Sequence, residues 1–272
     1  MSMNIPAHDS LTTRCLGNVF SKTVATYKYF WFLSIIQIHA KTNKLQMDVW
    51  DIVIRMVANA WYPIHYFRLS FGKSDSLFDI VIELQSITGI PIDADIENIC
   101  DVLGNRINDN RIKSKLRILT FNVPYRFLRP WIDTSDDREM VFRSQTFENE
   151  CLYSIHKEET EFYIEINPVW DTYLHNHYNI LSDFAYWNLA QFLQVRNPNV
   201  PAISNKLIKP ATRDSLSNQH RFWDTVIELG GTIHCIYTGR ELHRAEYALD
   251  HFIPWSFVSH NLLWNLIPAD NS

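Results

Sequence analysis

The sequence predicts an α+β chain, and three patterns carry that prediction. Four apolar-periodic segments fill the first hundred residues, two short alternating runs flank 157–160, and two apolar runs bracket Thr238-Gly239 near the C-terminus. The first pattern repeats at helical spacing, and the other two read as β-hairpins. Only 7 glycines argue against a sandwich built on many tight turns, while 46% hydrophobic and 14% aromatic content suffices for packed cores. The organisation that follows is a mainly helical N-terminal domain over 1–132, a hairpin-plus-helix middle region over 133–230, and a C-terminal hairpin unit over 231–272.

In chain order, residues 1–18 read as a lead-in and 21–40 as a helix apolar over most of its surface, hence central to a core. Residues 48–61 place Val49, Ile52, Val53, Met56 and Ala60 on one face before Pro63. Residues 76–87 end at Gly89, with Ser74 or Asp75 as cap, and 94–102 end at Gly104. A strand is expected over 116–123, a proline-bounded connector to 131, and an exposed linker over 133–150, where Asp, Ser and Thr cluster. Residues 152–156 and 161–166 form the middle hairpin. A long helix over 170–195, with a break near Asn179, precedes a helix over 216–229 that ends at Gly230-Gly231.

The C-terminal stretch carries the chemistry. It reads Cys235-Ile-Tyr-Thr-Gly, then Leu249-Asp-His-Phe-Ile-Pro-Trp-Ser, then Asn265-Leu-Ile-Pro. Residues 235–237 and 247–249 are expected to pair, with Pro254 forcing a loop after Asp250-His251. These motifs, in this order, resemble the HNH endonucleases of the His-metal-finger (ββα-metal) group. The resemblance covers about the last forty residues, with a fainter likeness in 27–32, 60–66 and 123–132 to the helical region of stand-alone bacterial members.

The resemblance implies metal-dependent phosphodiester hydrolysis of nucleic acid, DNA above RNA, with restriction or phage defence as the setting. His251 then serves as general base, since an imidazole accepts protons near neutral pH. Asp250 offers a hard oxygen to Mg²⁺ or Mn²⁺, and Asn265 holds the loop and orients the base. The family's closing helix, with its second metal ligand, is not expected in the four residues after Pro268, where Asn271 lies near the ligand's place. The resemblance therefore implies weak metal retention and little cleavage by these 272 residues alone, and both restored in a chain extended past Ser272. The other reading is a non-catalytic nucleic-acid- or partner-binding protein that keeps an incomplete finger.

Charge and cysteines bear on both readings. The net charge is −5, against what phosphate binding draws on, yet Arg106, Arg111, Lys113, Lys115, Arg117, Arg126 and Arg129 crowd one stretch. Lys113, Lys115 and Arg117, with Lys206, Lys209 and Arg213 further on, are candidate nucleic-acid contacts; solvated charge is the equal alternative. The 4 cysteines are scattered, and Cys235 lacks a partner thiol at Thr238, so no structural zinc is expected. A polar N-terminus and an apolar run too short to span a bilayer predict a cytoplasmic protein without a membrane partner. A protein partner or a homo-oligomer stays open.

Overall fold

In the computed structural model, residues 4–159, 161–209 and 215–271 are described, so Arg213 and the turn residue Thr160 lie outside them. The chain is α+β and divides into two compact units, Met1–Pro198 and Asn199–Ser272.

The first unit begins with α1 (Thr13–Gly17) and α2 (Tyr27–Thr42). Helix α2 buries Tyr29 to Ile36 without a break, so it is enclosed on all sides, as an all-round apolar helix must be. It starts six residues later than the sequence predicts. The reason is Asp75, whose Oδ2 accepts both the backbone N–H of Thr26 at 2.5 Å and its hydroxyl at 2.7 Å, holding the preceding chain as a loop. Strand β1 (Gln46–Asp48) leads directly into α3 (Val49–His65), and Asp48 caps that helix through Trp50 N–H at 2.7 Å. Helix α3 runs through Pro63, where the sequence predicts a stop. The missing N–H falls in the last turn, and almost every residue of the helix is buried, so packing outweighs one lost bond.

Helices α4 (Leu77–Thr88), α5 (Ile96–Asn105) and α6 (Asn110–Ile118) follow and pack on α3. The strand expected over 116–123 is instead the end of α6 and a turn into α7 (Val123–Phe127). Ile112 and Leu116 are buried four residues apart, a helical spacing, and the Asp109 carboxylate caps Arg111 N–H at 2.9 Å. The expected linker also contains a helix, α8 (Asp137–Ser144). Here the polar cluster is a cap, since Asp136 Oδ1 accepts from Arg138 N–H at 2.7 Å and Glu139 N–H at 3.3 Å, and Met140 and Ser144 are buried.

The middle hairpin is β2 (Tyr153–Lys157) and β3 (Phe162–Ile166), antiparallel with Tyr153 opposite Ile166. Strand β1 adds to β3 with Met47 opposite Ile164, giving a three-stranded sheet in the order β1-β3-β2. Trp31 of α2 donates to the Tyr153 hydroxyl at 3.0 Å, and that hydroxyl donates to the Pro124 carbonyl at 2.7 Å, so sheet, α2 and α7 share one core. Side chains of this size, fully buried, each contribute roughly 1.5–3 kcal/mol. Helices α9 (Asp171–Asn176) and α10 (Tyr178–Arg196) close the unit, with the break at His177.

The second unit opens with a 3₁₀ turn, Ile203–Lys206, and α11 (Ser217–Gly230). Strands β4 (Ile233–His234) and β5 (Glu241–Leu242) pair with each other, as do β6 (Ala248–His251) and β7 (Leu266–Ala269); α12 (Trp255–Val258) lies between the latter two. Residues 235–237 and 247–249 therefore do not pair, contrary to the sequence expectation. Gly239, at φ +71°, donates to the Cys235 carbonyl at 2.9 Å, so the chain reverses at once and β4 finds β5 immediately. The run at 247–249 instead meets the apolar residues after Asn265.

Among the described residues no helix is long and apolar enough to cross a membrane.

Candidate functional site

The site is built on β6 and β7. Their register sets Asp250 opposite Ile267 and His251 opposite Leu266, so Asn265 sits just before the strand that faces His251. Pro268, opposite Leu249, lacks an N–H; in a two-stranded sheet this can turn outward without breaking the ladder. A small core anchors the pair. Cys235, Leu242, Tyr247 and Ala269 are buried together, with Trp223 and Ile227 of α11 packed against them. Trp223 Nε1 donates to the Leu266 carbonyl at 3.0 Å, and Tyr247 Oη donates to Asp224 Oδ1 at 3.0 Å. Helix α11 thus grips β7 and the residue that leads into β6.

Asn265 is fully buried, and its amide closes a two-way clasp on the backbone of one residue, Ile253. Its Oδ1 accepts from Ile253 N–H at 2.7 Å and its Nδ2 donates to the Ile253 carbonyl at 2.8 Å. The Asn265 carbonyl also accepts from Phe252 N–H at 2.9 Å. These three bonds fix the chain that leaves His251, which is otherwise a loop.

Asp250 is exposed and His251 half-buried. Asp250 Oδ1 accepts from the backbone N–H of His251 at 2.8 Å, and Oδ2 accepts from Tyr237 Oη at 3.0 Å. The carboxylate in turn pushes the Tyr237 phenol up, chiefly through that hydrogen bond. His251 Nε2 lies 3.0 Å from Asn261 Oδ1, and the Asn261 carbonyl accepts from Gln219 Nε2 of α11 at 2.9 Å. The imidazole is therefore oriented by a loop residue that α11 holds.

Tyr237, Asn261 and Gln219 carry no role in the sequence reading. Tyr237 stands inside the Cys-x-Tyr-x-Gly motif, so its position was marked though its hydrogen bond was not. Asn261 lies ten residues past His251 in an aperiodic loop, and no sequence pattern singles it out.

Cys235 and Thr238 face the end of β7. Cys235 Sγ accepts from Asp270 N–H at 3.3 Å, and this bond, followed by Thr238, brings the thiol down to about 7. Arg240 Nη1 and Asp270 Oδ2 pair at 3.0 Å across the same corner.

The basic candidates lie in different places. Lys113 and Arg117 are exposed on α6, four residues apart, over the rings of Trp50 and Phe121 at 5.3 and 5.8 Å. Lys115 is engaged in an ion pair with Glu83 of α4. Lys206 is buried, donates to the Pro201 carbonyl at 2.7 Å and is pushed down to about 8 by burial. Lys209 is exposed.

Among the described residues no group of three or more His, Cys, Asp or Glu side chains is placed to hold a metal ion. The donor chemistry at Asp250 still fits a hard cation. Mg²⁺ is commonly held by one or two carboxylates and completed by substrate phosphate and water.

Comparison with curated proteins and with solved structures gave no match to the chain. Residues 235–272 match the family model described as HNH endonuclease, which covers the hairpin corner, the Asp250-His251 strand and the Asn265 clasp. A nuclease-type function, a nucleic-acid substrate and the divalent metal general to such nucleases follow at that level. By this match, residues 235–272 of the chain are similar to the HNH endonucleases.

Proposed function

We propose that the full-length protein is a metal-dependent endonuclease that hydrolyses phosphodiester bonds in DNA. His251 is the general base, Asp250 the metal ligand, and Asn265 the residue that holds the loop leaving the base. The observation that carries this reading is the oriented imidazole: His251 follows Asp250 on β6, and its Nε2 is engaged by Asn261.

An amide oxygen only accepts, so Nε2 carries the ring proton and Nδ1 keeps its lone pair. That nitrogen then takes a proton from the attacking water, a role in which a positioned imidazole contributes on the order of a hundred- to ten-thousand-fold. The Asn265 clasp keeps the exit from His251 rigid, which limits the imidazole's travel away from the phosphate. Tyr237 and the His251 N–H hold the Asp250 carboxylate in one orientation while each oxygen keeps a second lone pair for a cation. A bound Mg²⁺ or Mn²⁺ supplies Lewis-acid stabilisation of the charge that develops on the phosphate. Lys113, Arg117 and Lys209 are the exposed cations that contact backbone phosphate in this reading.

The test is nicking of supercoiled plasmid by the full-length protein in Mg²⁺, in Mn²⁺ and in excess EDTA. Nicking with either metal and none with EDTA is expected. Cleavage that survives EDTA would contradict the role of Asp250. DNA binding without cleavage in either metal would favour a non-catalytic binding protein.

A further inference from the structure

A cleft of about 1250 Å³ opens on the N-terminal unit, between the start of α2, the loop before α4 and the corner from α6 through α7. We propose that this cleft binds a nucleoside phosphate. The proposal is independent of the nuclease reading, since it uses none of the residues assigned a role there.

Charge is the first argument. Lys22, Lys28, Arg126 and Arg129 line the cleft and face one carboxylate, Asp133. Among the described residues none of these four cations is in an ion pair, whereas the neighbouring Arg111 and Lys115 are both paired. Lys28 is half-buried, and its ammonium is fixed on the Val19 carbonyl at 3.0 Å. Burial first, then the nearby Arg129 and Arg126, push that ammonium down to about 8, so the cations stand close enough to repel one another. A polyanion relieves that repulsion, and guanidinium forks match phosphate oxygens in pairs.

Shape and lining are the second argument. The volume far exceeds what one phosphate needs and lies above the roughly 300–1,000 Å³ of small-molecule sites. Phe121, 50% exposed at the rim, offers a ring face to a base, and the hydroxyls of Ser21 and Ser74 offer sugar contacts. Duplex DNA presents its phosphates on a convex surface and would meet rim charges rather than the half-buried Lys28.

The experiment is calorimetry on the full chain with four probes: ATP, inorganic phosphate, adenosine and a short single-stranded oligonucleotide. ATP is expected to bind, phosphate to compete weakly and adenosine to give no heat. The double variant Arg126→Ala/Arg129→Ala, at two exposed positions, is expected to keep its circular dichroism and melting temperature while losing at least tenfold in ATP affinity. No ATP binding, equal affinity in the folded double variant, or an oligonucleotide that binds more tightly than ATP and displaces it would each overturn the proposal.

Discussion

Asn265 and His251 depend on short contacts that the sequence marks only in part. The motif names both residues, and the chemistry of each side chain explains its place. Asn can donate and accept on one rigid amide, which is what closing on both backbone polar groups of residue Ile253 requires. Truncating it leaves two backbone groups without partners in a partly buried setting. Asn265→Ala is therefore expected to destabilise the C-terminal unit by roughly 2–4 kcal/mol. Urea unfolding followed by tryptophan fluorescence checks this, and a midpoint equal to wild type would show the clasp to be dispensable. Asn261, by contrast, was not legible. Its contact with His251 depends on where α12 and the following turn carry the chain, and neither leaves a periodic signal in so short a segment.

Among the elements, helices were read well where an apolar stripe was long and poorly where capping decided the structure. Helices α3, α4 and α10 follow their stripes closely. In α6 and α8 a few apolar residues sit among charges, and the deciding groups are Asp109 and Asp136, whose carboxylates take up the first N–H groups. Read as a turn former, Asp136 suggested a linker, and Asp109 carried no structural role in the expectation of a strand over 116–123. The pairing of β4 with β5 and β6 with β7 was missed because the tight corner at Gly239 consumes the run that was expected to pair onward. The helical form of α6 also changes its basic residues. Lys113 and Arg117 share an exposed face while Lys115 is tied to Glu83. Lys113→Glu and Arg117→Glu are each expected to weaken DNA binding and to reduce the slope of log affinity against log salt by about one. A fluorescence anisotropy titration across salt concentrations reads the slope, and an unchanged slope would show that this face is merely solvated.

At the scale of the whole molecule, the larger unit is fastened by charge as well as by its apolar core. Glu97 of α5 takes both nitrogens of Arg55 in α3, at 2.7 and 3.0 Å, and Lys41 of α2 at 2.5 Å. The Arg55 hydrogen bonds, ahead of Lys41, bring its carboxyl from 4.5 down to about 2. A carboxyl depressed on folding contributes stability above its unfolded value, and that contribution fades as pH falls from about 4.5 through about 2. Because the carboxylate is about half exposed, solvent screening reduces the contribution to ~1 kcal/mol. Glu97→Gln is expected to lower stability by that amount at neutral pH and to flatten the loss between those two values. Denaturant midpoints across the acid range would show it, and a variant whose acid profile matches wild type would contradict the linkage.

The central claim concerns the smaller unit, where one imidazole is oriented for proton transfer beside one carboxylate. Its most direct test is His251→Ala in the full-length protein, compared with wild type for plasmid nicking in Mn²⁺ and for DNA affinity on the same preparations. The account predicts a rate lower by on the order of a hundred- to ten-thousand-fold, with affinity nearly unchanged. Equal nicking rates would contradict it.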